Sequence, residues 1–263
     1  MLFLRITFYS NMQLSTVSSN PFFRKNADGY AKSESHKRGH DLETLINLMS
    51  PKGTEKLLDI ATGTGFTAAA FSPLVKEIVA IDPTREMLQK AIELATENDI
   101  RNIRFLNLGW EELRDYEEFD LAVCRRAAHH FQDKQAFFSK VYKVLRPGGK
   151  FGYVDMVTPD EDFSGFFNSL ERTRDPTHVY ALKVAEILQI ANNSGFKQIG
   201  LRIENERLTF DNWLYPVSAG SPEGKRCLDY LASASEDNLR LIDYDRNDNS
   251  FVKRRAVVVF RKD

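Results

Sequence analysis

Cysteine is scarce. The 263 residues hold two, Cys124 and Cys227, far apart in the chain. That excludes a disulfide framework and any zinc site built on closely spaced thiols. A surplus of one charge sign is missing too. The 36 basic and 37 acidic side chains leave a formal net charge of −1, which excludes the broad basic field of a non-specific nucleic-acid binder. No apolar run approaches the roughly 20 residues needed to span a bilayer. Met1 to Tyr9 (MLFLRITFY) is short and interrupted by Arg5, with no basic stretch before it and no clean small-residue cleavage site after it. Residues 1–20 are therefore expected to be a disordered extension, upstream of a possible second start at Met12. Repeats and low-complexity linkers are also lacking, so residues 21–263 are expected to form one domain with an insertion. These absences point to a cytoplasmic protein in a reducing compartment, with no nucleic-acid partner, no membrane span and no metal. They leave its oligomeric state open.

What is present is alternation. Lys56–Ile60, Glu77–Ile81, Ile103–Leu106, Phe119–Cys124 and Phe151–Met156 read as five short strands. Segments of helical period separate them. One is an Ala-rich stretch from Phe66 to Leu74, interrupted by Pro73. Another, after Thr84, sets Met87, Leu88, Ala91, Ile92 and Ala95 on one face. A third carries Phe137, Phe138, Val141, Val144 and Leu145. Arg146-Pro147-Gly148-Gly149 stops that helix, because proline cannot extend it and glycine admits positive φ. Ahead of the first strand, Leu42, Leu45, Ile46 and Met49 follow an i, i+3, i+4, i+7 pattern, with Asp41 placed as its cap. Such alternation marks an α/β fold, a parallel sheet with helices on both faces. The second half is less regular. It offers a helix face at Val184, Ile187, Leu188 and Ala191, a strand at Ile199–Ile203, a helical segment around Trp213 and a closing strand at Phe251–Phe260.

The chemistry gathers where strands end. Asp59-Ile60-Ala61-Thr62-Gly63-Thr64-Gly65 closes the first strand, and Asp82-Pro83 closes the second. In an open parallel sheet, ligands sit at the carboxyl ends of the strands. Glycines let the backbone turn tightly and approach a nucleoside, and a carboxylate one strand later can accept hydrogen bonds from a ribose diol. Gly63-x-Gly65-x-x-Ala68 also matches a dinucleotide fingerprint. Three features favour S-adenosylmethionine (SAM) over a nicotinamide cofactor: Asp59 directly before the loop, a helical segment ahead of the fingerprint, and Leu145-Arg146-Pro147-Gly148-Gly149-Lys150 before the fifth strand.

Taken together, LLDIATGTG (57–65), VAIDPTREML (79–88), FDLAVCRRAAHHFQD (119–133) and VLRPGGKFGYVD (144–155) resemble the class I SAM-dependent methyltransferases. The branch they are most similar to is that of the quinone-biosynthesis C-methyltransferases. RDPTH (174–178) resembles a motif of a bacterial subset of that branch. The resemblance implies a Rossmann-like seven-stranded sheet with its last strand antiparallel. It implies Asp59, Ala61, Gly63 and Gly65 around the methionine part of SAM, Asp82 at the ribose hydroxyls and Met87 near the adenine, with Thr62 and Pro83 in the same cofactor-binding set. Arg125 joins this cofactor set. Two departures stand out. Ala61 replaces a frequent glycine, and Gly109 stands where an adenine-binding Asp is frequent, which shifts that contact to Trp110 and Glu111.

The implied reaction is methyl transfer by in-line displacement to a small-molecule acceptor. The rival readings are a SAM-binding module without catalysis and a nicotinamide-dependent oxidoreductase. The acceptor is expected between an N-terminal lid (21–50) and a polar cap insertion (157–182). Tyr30, His36, Arg174 and His178 would line it, with His129 reaching in from below. His129 and His130 are the candidate bases, although either ring also suits a structural role. Arg125-Arg126 is read as meeting an anionic substrate or neutralising a surface acid, Arg174 as pairing with Asp175, and Lys253-Arg254-Arg255 as a solvated sheet edge. Phe163, Phe166 and Phe167 suit a core or a substrate cage.

Overall fold

The computed structural model describes residues 20–115 and 118–263. Apart from Asn20, the expectation for residues 1–20 lies outside them. Asn20 caps the first helix, its side chain accepting from Phe22 N at 3.0 Å. Seven strands form one sheet in the order β3-β2-β1-β4-β5-β7-β6. They are β1 (Lys56–Ile60), β2 (Glu77–Ile81), β3 (Ile103–Leu106), β4 (Phe119–Arg125), β5 (Leu145–Met156), β6 (Phe196–Thr209) and β7 (Ser250–Lys262). Among the described residues only β7 runs against its neighbours. The fold is the Rossmann-like sheet that the motifs implied. β6 is far longer than the expected Ile199–Ile203. It is an edge strand whose outer half alternates between half-buried and exposed residues, so an apolar run marks only part of it.

Helices α1 (Pro21–Ala31), α2 (Glu34–Arg38) and α3 (His40–Met49) precede the sheet. α4 (Phe66–Phe71) and α5 (Arg85–Glu97) follow β1 and β2, and α6 (Lys134–Val144) joins β4 to β5. α7 (Phe166–Arg174) and α8 (Val184–Asn193) lie between β5 and β6. α9 (Phe210–Leu214), α10 (Pro222–Ala232) and α11 (Glu236–Leu241) lie between β6 and β7. Because side chains alternate across a strand, each strand feeds two layers. Leu58, Ile60, Val79 and Ile81 meet Phe137, Phe138 and Ile187 on one face. Leu57, Ile78 and Ala80 meet Leu42, Leu45, Met49 and Phe71 on the other. α3 is thus a core helix, and α1 and α2 are the part of residues 21–50 that lies over the strand ends.

The cap is not the irregular segment its polarity suggested. Residues 157–182 contain α7, and a separate apolar cluster joins it to the later helices: Phe166, Phe167 and Leu170 pack with Phe210, Trp213, Leu214, Cys227 and Leu231. Phe166 and Phe167 are therefore core, whereas Phe163 is 90% exposed. Helices as short as α9 and α11 have no stability alone. Burial of large apolar side chains, each contributing about 1.5–3 kcal/mol, holds them. Among the described residues no helix is long and apolar enough to cross a membrane.

Candidate active site

The turn after β1 runs through left-handed backbone, with φ of 55° at Ala61, 56° at Gly63 and 85° at Gly65. At Gly65 a Cβ would stand 2.8 Å from the Ala91 Cβ of α5, so glycine is required twice over. At Gly63 a Cβ would meet nothing within 4 Å, and the turn shows bare backbone to the space beyond. Asp82 locks the turn, one carboxylate oxygen accepting from Gly63 N at 2.9 Å and the other from Thr84 N at 2.7 Å. Burial pushes its pKa up to about 6 against the pull of those N–H groups. Asp59 lies beneath, bound by the Thr62 hydroxyl at 2.6 Å, and burial pushes it up to about 7. After β3, Asn107 donates to the Asp82 carbonyl at 3.0 Å. The Gly109 N–H is taken by Glu112 at 2.8 Å. The Trp110 ring packs on Phe131 and Phe137, and its indole N–H is buried without a protein partner.

Arg125 and Arg126, at the end of β4, both close on Asp41. Arg125 donates through Nη2 at 2.8 Å and Nε at 3.2 Å, and Arg126 through Nε at 2.7 Å and Nη2 at 2.9 Å. Arg125 also holds the His36 carbonyl at 2.8 Å, and Arg126 the Ser35 hydroxyl at 2.9 Å. Burial would raise the Asp41 pKa, but the two guanidinium charges hold it well below the carboxylate range. This corrects two expectations. Asp41 is not the cap of α3, where Gly39 stands, and the acid these arginines neutralise is buried rather than on the surface. The Arg125 guanidinium is spent on anchoring α2 and α3.

His129 and Asp155 form the second centre. The His129 ring meets Asp155 Oδ1 through Nδ1 at 2.7 Å, and the His129 N–H donates to Oδ2 at 2.8 Å. Burial raises the Asp155 pKa, but the ring and the hydrogen bonds outweigh it and hold the carboxyl below its usual value. An ionised Asp155 fixes the Nδ1–H tautomer, which leaves the Nε2 lone pair of His129 available. The neighbouring histidines are built in differently. His130 bonds through Nδ1 to the Thr177 carbonyl and hydroxyl, while burial and the nearby His129 push its pKa down to about 3. His178 gives its Nε2 to Asn168 at 2.7 Å and is likewise pushed down to about 3 by burial and by His129.

One cavity of about 590 Å³ joins the two centres. It brings together Ala61, Thr62, Gly63, Asp82, Pro83, Met87, Gly109, Trp110, Glu111 and Arg125 with Tyr30, His36, His129, His130 and Arg174. Asp59 and Gly65 lie under its floor rather than along it. His178 is turned to Asn168 and does not line it. Arg174 pairs with Glu171 at 3.4 Å, not with Asp175 as expected. Asp175 instead holds the Thr177 N–H and hydroxyl. The largest correction concerns β7. Lys253 and Arg255 are 5% and 6% exposed and line the cavity, while Arg254 alone faces out to the Leu241 carbonyl. Sequence reading passed over Asp155 and placed Lys253 and Arg255 on a solvated sheet edge instead of in the cavity. The available signal was the reversal of the last strand, which brings its first residues to the ligand end of the sheet.

Residues 57–149 match a family described as a methyltransferase domain. YcgJ of Bacillus subtilis, an uncharacterized methyltransferase, is 32% identical over 217 residues, 82% of this chain and 86% of its own. The crystal structure of YcgJ has a TM-score of 0.79 to this chain at 29% identity, covering 85% of this chain and 98% of that one. The chain belongs to the class I SAM-dependent methyltransferases. Phosphoethanolamine N-methyltransferase 2 of Haemonchus contortus, solved with phosphomonomethylethanolamine and S-adenosylhomocysteine, shares the fold with this methyltransferase. Its TM-score is 0.62 at 19% identity, over 91% of this chain and 57% of that one. SAM is the methyltransferase's cofactor, and the residues fit it. Gly63 leaves a bare cradle, Asp82 presents a buried carboxylate at the rim, and the Trp110 indole N–H stands without a partner. The quinone-biosynthesis branch rests on the motifs alone.

Proposed function

We propose that this methyltransferase transfers a methyl group to a small-molecule acceptor, with His129 as the base that takes the acceptor's proton. The observation that carries this reading is the His129–Asp155 pair, which opens onto the same cavity as the Gly63 turn. When bound, SAM supplies a sulfonium-activated methyl group, so the protein's tasks are orientation, exclusion of water and removal of a proton. The Gly63 cradle, Asp82 and the loop Leu108–Glu111 hold the cofactor on one side. Tyr30 and His36 close over it from the lid, their rings 5.3 Å apart and edge to face. Phe23 closes on His130 at 4.9 Å. An acceptor seated against His129 gives its proton to Nε2, and Asp155 steadies the charged ring that results. Asp59 acts only by positioning the turn.

Denaturing the purified protein and identifying the released small molecules by mass spectrometry is the direct route to the acceptor. With that acceptor, His129→Gln lowers turnover by about 10²–10⁴-fold, the usual contribution of a positioned base, while SAM affinity measured by calorimetry stays within about twofold. Full turnover in His129→Gln removes the base assignment. A protein that binds NADH and not SAM removes the cofactor placement.

A further inference from the structure

The acceptor end of the cavity is lined by cations whose counter-charges stand behind them. Arg126, Arg174, Lys253 and Arg255 all reach the cavity. The acids that pair with them do not: Asp41 holds Arg126, Glu171 holds Lys253 at 2.8 Å and Arg174 at 3.4 Å, and Glu206 holds Arg255. Of the carboxylates that do reach this end, Asp155 is committed to His129 and Asp175 to Thr177. Arg174 keeps a further donor in reserve, since its Nε is buried without a partner. A buried guanidinium N–H with no acceptor is destabilising, and an incoming oxyanion would remove that cost.

We infer that the acceptor carries an oxyanion, a carboxylate or a phosphate, and that Arg174 and Lys253 seat it while His129 faces the atom to be methylated. This rests on the function proposed above and specifies its substrate class. Lys253 and Arg174 share Glu171, an acid held away from the cavity, while Asp175 and the Tyr30 hydroxyl also stand near Arg174. Glu171 is fixed a third time by the Trp213 indole N–H at 3.0 Å, which keeps it from swinging forward. Burial and the neighbouring arginines weaken the Lys253 ammonium toward about 8 although Glu171 supports it. A bound anion would strengthen it. An anchor of this kind sets the acceptor's orientation, and a methyl displacement depends on orientation.

The experiment uses the full chain saturated with S-adenosylhomocysteine and three probes of one shape: benzoate, phenyl phosphate and benzamide. Calorimetry is expected to show at least one of the two anions binding at least tenfold more tightly than neutral benzamide, and the preferred anion tells carboxylate from phosphate. Arg174→Met and Lys253→Met each reduce that binding by about tenfold or more, in keeping with loss of a charged hydrogen bond, and Arg174→Lys recovers part of it. Equal binding of benzamide, or no anion binding at millimolar concentrations, overturns the inference. Anion binding untouched in both Met variants, with S-adenosylhomocysteine still bound, overturns it as well. Failure of the wild-type protein to bind S-adenosylhomocysteine is a separate result, and it would sink the proposed function instead.

Discussion

Individual side chains in this enzyme carry two loads at once. Asp82 spends one lone pair of each oxygen on backbone N–H groups and also lines the cavity. Asp82→Ala should therefore weaken SAM binding by tenfold or more, since a charged hydrogen bond represents about 1.5–3 kcal/mol. An unchanged dissociation constant in calorimetry would show that the cavity side of Asp82 is idle. Gly65→Ala is expected to be harsher. It forces a Cβ into positive φ and against α5, so it should lower unfolding stability by more than about 1 kcal/mol in urea titration and also blunt cofactor binding. Both sites were legible in the sequence, because a turn with left-handed backbone favours glycine and a strand end before a helix leaves its acid exposed to a ligand. Asp155 ends a strand in the same way. It went unread because nothing local distinguishes an acid beneath a histidine from one at a surface.

Between elements, Asp41 and its two arginines form a buried ionic tie. All three side chains are under 10% exposed, and together they join α2 and α3 to the end of β4. Removing one partner of a buried ionic group costs about 3–5 kcal/mol, because the charge left behind has no solvent. Asp41→Ala should lose stability on that scale in urea titration, and Asp41→Asn less, since an amide oxygen still accepts. Wild-type stability in Asp41→Ala would mean that α2 and α3 shift to let water reach the guanidinium groups. At this scale the sequence was readable wherever an element packs on the main sheet, as with β1, β2, α3 and α5. The cap was not readable. α7, α10 and α11 bury their apolar faces chiefly against one another in a satellite cluster, and each face is too narrow among charged residues to stand out alone.

Across the whole molecule, buried titratable groups pull in opposite directions with pH. His130 and His178 have folded pKa values of about 3, below the roughly 6.5 of an unfolded histidine. The stability they allow is complete above about pH 6.5 and is lost as the pH falls toward 3. Asp59 and Asp82 behave inversely. Their folded values of about 7 and about 6 exceed the unfolded 3.9 or so, and their contribution is present at low pH and lost as the pH rises through 6 and 7. The two sets offset each other between about pH 4 and pH 6.5. Asp59→Asn should therefore melt with a steeper loss on acidification than wild type, and His178→Asn with a shallower one. Parallel melting curves for all three proteins would show that these groups titrate normally.

The reversed last strand has a consequence in time as well as in space. Among the described residues β6 pairs only with β7, and Lys253 and Arg255 lie near the start of β7. Synthesis runs from the N-terminus, and folding tends to follow it. A nascent chain halted before residue 250 already contains the Gly63 turn, Asp82 and the His129–Asp155 pair. It lacks the strand that fills the gap between β5 and β6, and with it half of the cationic wall. Arrival of residues 250–263 therefore does two jobs in one event: the sheet closes, and the cationic wall proposed to seat the acceptor is completed.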